Sequence, residues 1–168
     1  MKKTFLLVAV ALAAAALLPA CPAEEEGTPD GGMGVQPTFT SLYEDYFSEC
    51  GQCHAPGAPG SGTAGIETTL NFSTKATAYT TIKTGMAMGL TGNAAGCNGV
   101  PFVGATPAKS LILAVVDQPT RNVIDLSPTH PNCDVDSITD ETVKVGSQPS
   151  AAFVQALKDW LAAGAPNN

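Results

Sequence analysis

The stretch Cys50-Gly51-Gln52-Cys53-His54 decides how the rest of this 168-residue chain is read. Two thiols three positions apart, followed at once by an imidazole, make the C-x-x-C-H pattern. The thiols can add to the two vinyl groups of a haem as thioethers, and the imidazole can bind its iron. The spacing has a mechanical basis: on a helical turn, positions i, i+3 and i+4 share a face, so all three side chains address one flat macrocycle. One covalent haem c is therefore expected on Cys50 and Cys53, with His54 as proximal iron ligand. Two other readings use the same thiols. A zinc site would need a second close pair of Cys or His, and Cys97 and Cys133 stand alone. A thioredoxin-like dithiol would sit in a βαβ pattern, of which the chain shows no sign.

Working outward, the residues before the motif read as its supporting helix. Phe39, Leu42, Tyr43, Tyr46 and Phe47 recur at i, i+3 and i+4, and Ser41 with Glu44 has the form of a capping box. The helix expected from Phe39 to Glu49 runs directly into Cys50. Its aromatic face is expected to pack on another helix.

Further upstream, Lys2 and Lys3 precede an unbroken apolar run from Phe5 to Leu18. This has the charged and apolar regions of a secretory leader, and the run is too short to span a membrane comfortably. Leu18-Pro19-Ala20-Cys21 resembles a bacterial lipobox, with Pro19 where a small residue is usual. Residues 1–20 are thus expected to be a lipoprotein signal peptide and Cys21 the lipidated residue; ordinary cleavage nearby would instead give a soluble exported protein. Residues 21–37, PAEEEGTPDGGMGVQP after Cys21, have too little to bury and read as a flexible linker. Either form of processing places the protein outside the cytoplasm, and lipidation would leave it in the cell envelope, membrane-anchored and facing the periplasm or the exterior.

With 8 Lys and Arg against 15 Asp and Glu, the formal charge is −7, and loss of Lys2 and Lys3 makes the chain more acidic still. Nucleic acid is excluded as a partner, because its binding rests on neutralising phosphates. Redox protein partners are compatible with this charge. Residues 38–166 are enough for one modest domain with one core. Cysteine arithmetic closes as well: Cys21 for lipid, Cys50 and Cys53 for haem, and Cys97 with Cys133 as an even pair. In an oxidising compartment that pair is expected to form a disulfide, against the alternative of two separate buried thiols.

Downstream of His54, a Gly- and Pro-rich loop leads to a helix expected from Thr74 to Thr84, with Ser73 as cap and Gly85 as stop. Lys75 and Lys83 on it read as a solvated face. Thr106-Pro107 opens a third helix through Leu111, Ile112, Val115 and Val116. Gln118 to Gln148 is long for a structureless connection and carries His130, Cys133 and the β-prone Thr142-Val143-Lys144-Val145. The last helix, Pro149 to Ala163, has its apolar stripe at Phe153, Ala156, Leu157, Trp160 and Leu161, and Gly164 with Pro166 ends it. That stripe is expected to pack on the first helix, and the indole N–H of Trp160 needs a hydrogen-bond partner.

The motif, the segment Gly104-Ala105-Thr106-Pro107-Ala108-Lys109-Ser110-Leu111 and the ending Trp160-Leu161-Ala162-Ala163-Gly164-Ala165 give the chain a family likeness. Over about residues 38 to 166 it resembles the cytochrome c-like lipoproteins of bacteria, of planctomycete and myxobacterial type. The resemblance implies a mainly α, small class I cytochrome c-like helical domain with long loops, its first and last helices crossing near the haem. It departs from the family at one place. Those relatives often carry Met-Pro close to a Cys before the final helix, whereas Cys133 is followed by Asp134-Val135-Asp136 and no Met lies beyond Met88.

The far side of the iron is therefore open. Met86 or Met88, in Gly85-Met86-Ala87-Met88-Gly89, is a distal candidate, since thioether is a known sixth ligand that raises the potential; either could instead fill a core gap. His130 is an alternative distal ligand, or a surface turn residue between Thr129 and Pro131. A vacant sixth position is the third option. These lead to three functions: an electron carrier with no catalytic residues, a five-coordinate peroxidase-like enzyme or sensor with His130 as distal acid-base group, or a haem-free lipoprotein interaction module.

Overall fold

The computed structural model describes residues 34–58, 70–117, 121, 123–138 and 148–168. The leader, Cys21, the linker up to residue 33 and the Thr142–Val145 piece lie outside the described residues. The domain is mainly α; among the described residues the only β pairing is a single antiparallel bridge between Met86 and Pro101.

The helical run before the motif is continuous but not uniform. It comprises an α turn at Phe39–Leu42, a π-helical turn at Tyr43–Phe47 and a second α turn at Ser48–Cys50. Its cap is Thr38, in extended conformation, whose side chain accepts from the N–H of Ser41. The Ser41–Glu44 capping box is thus replaced by an earlier cap. Ser41 is already inside the helix, and its hydroxyl accepts instead from the N–H of Gln36. A π turn inserted in a helix shifts the register of the residues after it, and such turns concentrate at functional sites. Here it lies one turn before Cys50.

Phe39, Leu42, Tyr46 and Phe47 are buried on the inner face of this run. They meet the last helix, Ala151–Ala162, whose buried residues are Phe153, Val154, Ala156, Leu157, Trp160 and Leu161. The expected stripe and its partner are both as read from the sequence. Ring centroids lie 5.5 Å apart for Phe39 and Trp160 and 5.4 Å apart for Phe47 and Phe153. The Trp160 indole finds its partner in the carbonyl of Pro166, at 2.8 Å. Ser150 caps this helix by accepting from Phe153 N–H, two residues later than a start at Pro149 would require.

The helix Lys75–Thr84 begins one residue after its cap, Thr74, which forms a reciprocal capping box with Thr77. Ser73 is displaced from the cap role and donates its hydroxyl to Asn71 Oδ1. Lys75 and Lys83 are exposed or half-buried on this helix, and their ammonium groups tie down other segments: Lys75 donates to Thr40 Oγ1 and Lys83 to the carbonyl of Gly164.

The third helix is two elements. A 3-10 turn at Pro107–Lys109 and an α-helix at Leu111–Val116 are separated by Ser110, which is fully buried. Its hydroxyl donates to the carbonyl of Thr106 and accepts from the N–H of Gly104, which holds the break. After it, Arg121 is buried and donates from Nε to the carbonyl of Ala114, closing the end of the Leu111–Val116 helix. A disulfide joins Cys97 to Cys133, as expected for the spare pair.

Candidate haem-attachment site

The motif closes as one more turn of the helix that precedes it. The carbonyl of Cys50 accepts from the N–H of His54 at 2.8 Å and of Cys53 at 3.2 Å. Gly51 N–H reaches Ser48 and Gln52 N–H reaches Glu49, so the run tightens to i−3 spacing before His54 closes it at i−4. Cys50, Cys53 and His54 therefore lie on a single ordered turn, each half-buried. Neither Cys50 nor Cys53 is in a disulfide. Cys97 and Cys133 are bonded to one another, so they cannot complete a four-ligand zinc site with the motif.

Phe72 fixes the other side of this turn. Its N–H donates to the carbonyl of His54 at 2.7 Å, its own carbonyl accepts from Tyr43 Oη at 3.2 Å, and its ring stands 6.0 Å from the imidazole. Gly51 permits this approach: a Cβ there would stand 3.0 Å from the Phe72 carbonyl oxygen and 3.2 Å from that of Ser48. Nδ1 of His54 is a buried atom, turned into the protein. The donor set thus fits a covalent haem: two half-buried thiols outside any disulfide and one imidazole, packed beside Phe72, on one turn.

The distal candidates occupy two other places. Gly85 to Ala87 pairs with residues 99 to 102. Phe102 N–H donates to Gly85, Ala87 N–H to Val100, and Gly99 N–H to Ala87. Ala87 is buried, so side-chain alternation puts Met86 and Met88 together on the opposite side, where they are 50% and 68% exposed. Neither fills a core gap. Gly85 is needed by close approach rather than by a left-handed conformation, because a Cβ would overlap the carbonyl of Thr81 and touch the ring of Phe102.

His130 is half-buried in a turn, its N–H donating to the carbonyl of Leu126, and it lines a shallow hollow with Ile124, Leu126, Pro131, Cys133 and Val135. Among the described residues no group of three or more His, Cys, Asp and Glu side chains gathers, and no helix is long and apolar enough to cross a membrane.

Phe72 and Asn98 were not singled out by motif reading. Phe72 follows a loop and looks like an ordinary core aromatic. Asn98, between Cys97 and Gly99, carries only a generic turn signal. Comparisons of the chain with protein-family models, with curated proteins and with solved structures give no match.

Proposed function

We propose that the chain is an exported, lipid-anchored monohaem c-type cytochrome that carries single electrons between redox protein partners. The observation that carries this reading is the single ordered turn holding Cys50, Cys53 and His54, braced by Phe72. Cys50 and Cys53 hold the haem covalently, and His54 binds its iron from the proximal side. The bound haem supplies reversible one-electron chemistry at iron, and the distal ligand tunes its potential. The protein's part is to orient the imidazole, to cover the macrocycle and to offer a sixth ligand.

For that sixth ligand we favour Met86 or Met88 over His130. Both thioethers project from a hydrogen-bonded edge and lie outside the core, so they remain available to a group docked on that face. The packing of the first helix on the last supports the finer assignment to a class I cytochrome c-like fold. The leader, lipidated Cys21 and linker would place this domain outside the cytoplasm on a membrane surface, where covalent attachment to C-x-x-C-H takes place in bacteria.

The test is expression of the full chain with a haem-maturation system, followed by a haem stain on a denaturing gel and optical spectra. Covalent haem that is lost in the Cys50→Ser, Cys53→Ser double variant is expected, with a low-spin oxidised spectrum. High-spin iron in the unmodified protein would point to a five-coordinate enzyme or sensor. Absence of covalent haem would leave the interaction module.

A further inference from the structure

The edge that carries Met86 and Met88 is composed of residues that would not hold a shape alone. Gly85, Gly89 and Gly92 punctuate it, and Gly89 and Gly92 have φ of 72° and 62°. Before Met88, backbone pairing with residues 99 to 102 fixes it. After Met88, the anchor is one side chain. Asn98 Oδ1 accepts from Leu90 N–H at 2.9 Å, and its Nδ2 donates to the carbonyls of Leu90 at 2.9 Å and Ala95 at 3.0 Å.

Immediately before Asn98, fully buried Cys97 is bonded to Cys133. Gly96 lies so close to the backbone of Asn132 that a Cβ would overlap its carbonyl. The same bridge restrains the competing ligand, since Cys133 N–H donates to the carbonyl of His130 at 3.1 Å. One covalent link thus ties the thioether edge to the turn bearing His130.

We propose that Asn98 and the Cys97–Cys133 bridge are positioning groups for the axial ligand: they present a methionine thioether to the iron and keep His130 on its own turn. The inference rests on the haem reading. Axial thioether is a weak ligand, so an edge already ordered loses little freedom on ligation, whereas a loosened edge gives up the iron to a stronger nitrogen donor. No electron or proton moves in this role; the bridge acts by remaining closed.

The test uses the full-length, haem-loaded protein and the variants Asn98→Ala, Cys97→Ser with Cys133→Ser, and the latter with His130→Ala added. The readouts are the sulfur-to-iron charge-transfer band of the oxidised form against pH, the reduction potential, and the urea midpoint. Asn98→Ala is expected to weaken thioether ligation about tenfold, the scale of one or two neutral hydrogen bonds, seen as an earlier loss of the band with rising pH. The double Ser variant is expected to lose the band at neutral pH, to drop in potential and to show bis-imidazole spectra that turn high-spin when His130→Ala is added.

Bands and potentials unchanged while the urea midpoints fall would make both groups merely structural and overturn the proposal. So would an unmodified protein with covalent haem but no sulfur ligand, which leaves the haem reading standing. Absence of covalent haem overturns both. Asn98 is exposed, so its variant reports even if the bridge variant fails to fold.

Discussion

Phe72 holds His54 from two directions: its N–H donates to the His54 carbonyl at 2.7 Å, and its ring stands 6.0 Å from the imidazole at an angle of 54°. The first contact survives any substitution except proline, and the second does not. Phe72 is also buried against Phe47. Phe72→Ala is expected to cost about 3 to 5 kcal/mol in urea unfolding, as for other buried aromatics cut to alanine. In protein carrying the proposed haem it should also broaden the His54 imidazole resonances, because the ring beside His54 is gone. Phe72→Leu, which keeps most of the buried volume, should recover most of the stability and little of the imidazole order.

Gly51→Ala sets two effects against each other. The backbone at Gly51 is helical, φ −62° and ψ −19°, so alanine would gain about 0.4 to 1 kcal/mol from the unfolded chain. Its methyl, however, would meet two backbone oxygens at 3.0 and 3.2 Å, one of them the Phe72 carbonyl already held by Tyr43. Backbone that is bonded on both sides yields poorly, and overpacking of this kind costs about 1 to 3 kcal/mol. The net expectation is a loss of about 1 kcal/mol, measurable by urea unfolding, with a weaker His54–Phe72 hydrogen bond seen as faster amide exchange at Phe72.

Much of this was legible from the residue pattern. The i, i+3, i+4 stripes at Phe39–Phe47 and Phe153–Leu161 identified the two helices that make the core, because burial of one face is what produces such a stripe. The leftover cysteine pair is indeed bridged. Boundaries were less legible. Thr38 and Thr74 displaced the expected caps Ser41 and Ser73 because cap choice depends on which extended residue precedes the first helical one, and serine and threonine neighbours compete for that place.

The π turn at Tyr43–Phe47 and the break at Ser110 left no signal in the spacing of apolar residues; the break is held by a hydroxyl that bonds its own backbone neighbours, Gly104 and Thr106. The close approaches of Gly51 to Phe72, Gly85 to the Phe102 ring and Gly96 to Asn132 were invisible because each partner is distant in sequence.

Ser110 supplies a third prediction. With no exposure, its hydroxyl serves Gly104 N–H at 3.0 Å and the Thr106 carbonyl at 2.8 Å. Ser110→Ala removes both bonds; the Thr106 carbonyl keeps the N–H of Lys109, whereas the half-buried Gly104 N–H loses the hydroxyl, a cost of about 1 to 2 kcal/mol. Urea unfolding should show this loss at all pH values, because nothing that titrates takes part.

The ion pair of Lys109 and Asp125 behaves differently with pH. Lys109 Nζ donates to Asp125 Oδ2 at 2.9 Å, and Ser127 N–H donates to Oδ1 at 3.0 Å. The Lys109 hydrogen bond first, then the Ser127 N–H and the Lys109 charge, hold the Asp125 carboxyl below its ordinary 3.8. A carboxyl whose pKa is lower folded than unfolded adds stability above 3.8 and loses it as pH falls through the folded value. The pair is exposed, so the effect is local and screened by salt.

It is expected in the turn leading to His130 rather than in global unfolding. By NMR, the Asp125 carboxyl carbon should titrate with a midpoint under 3.8, and the Ser127 amide should shift with it. Lys109→Met should bring that midpoint up toward 3.8, and added salt should do so in part. A midpoint that does not respond to Lys109→Met would mean that the ammonium contributes nothing and that the Ser127 N–H alone lowers it.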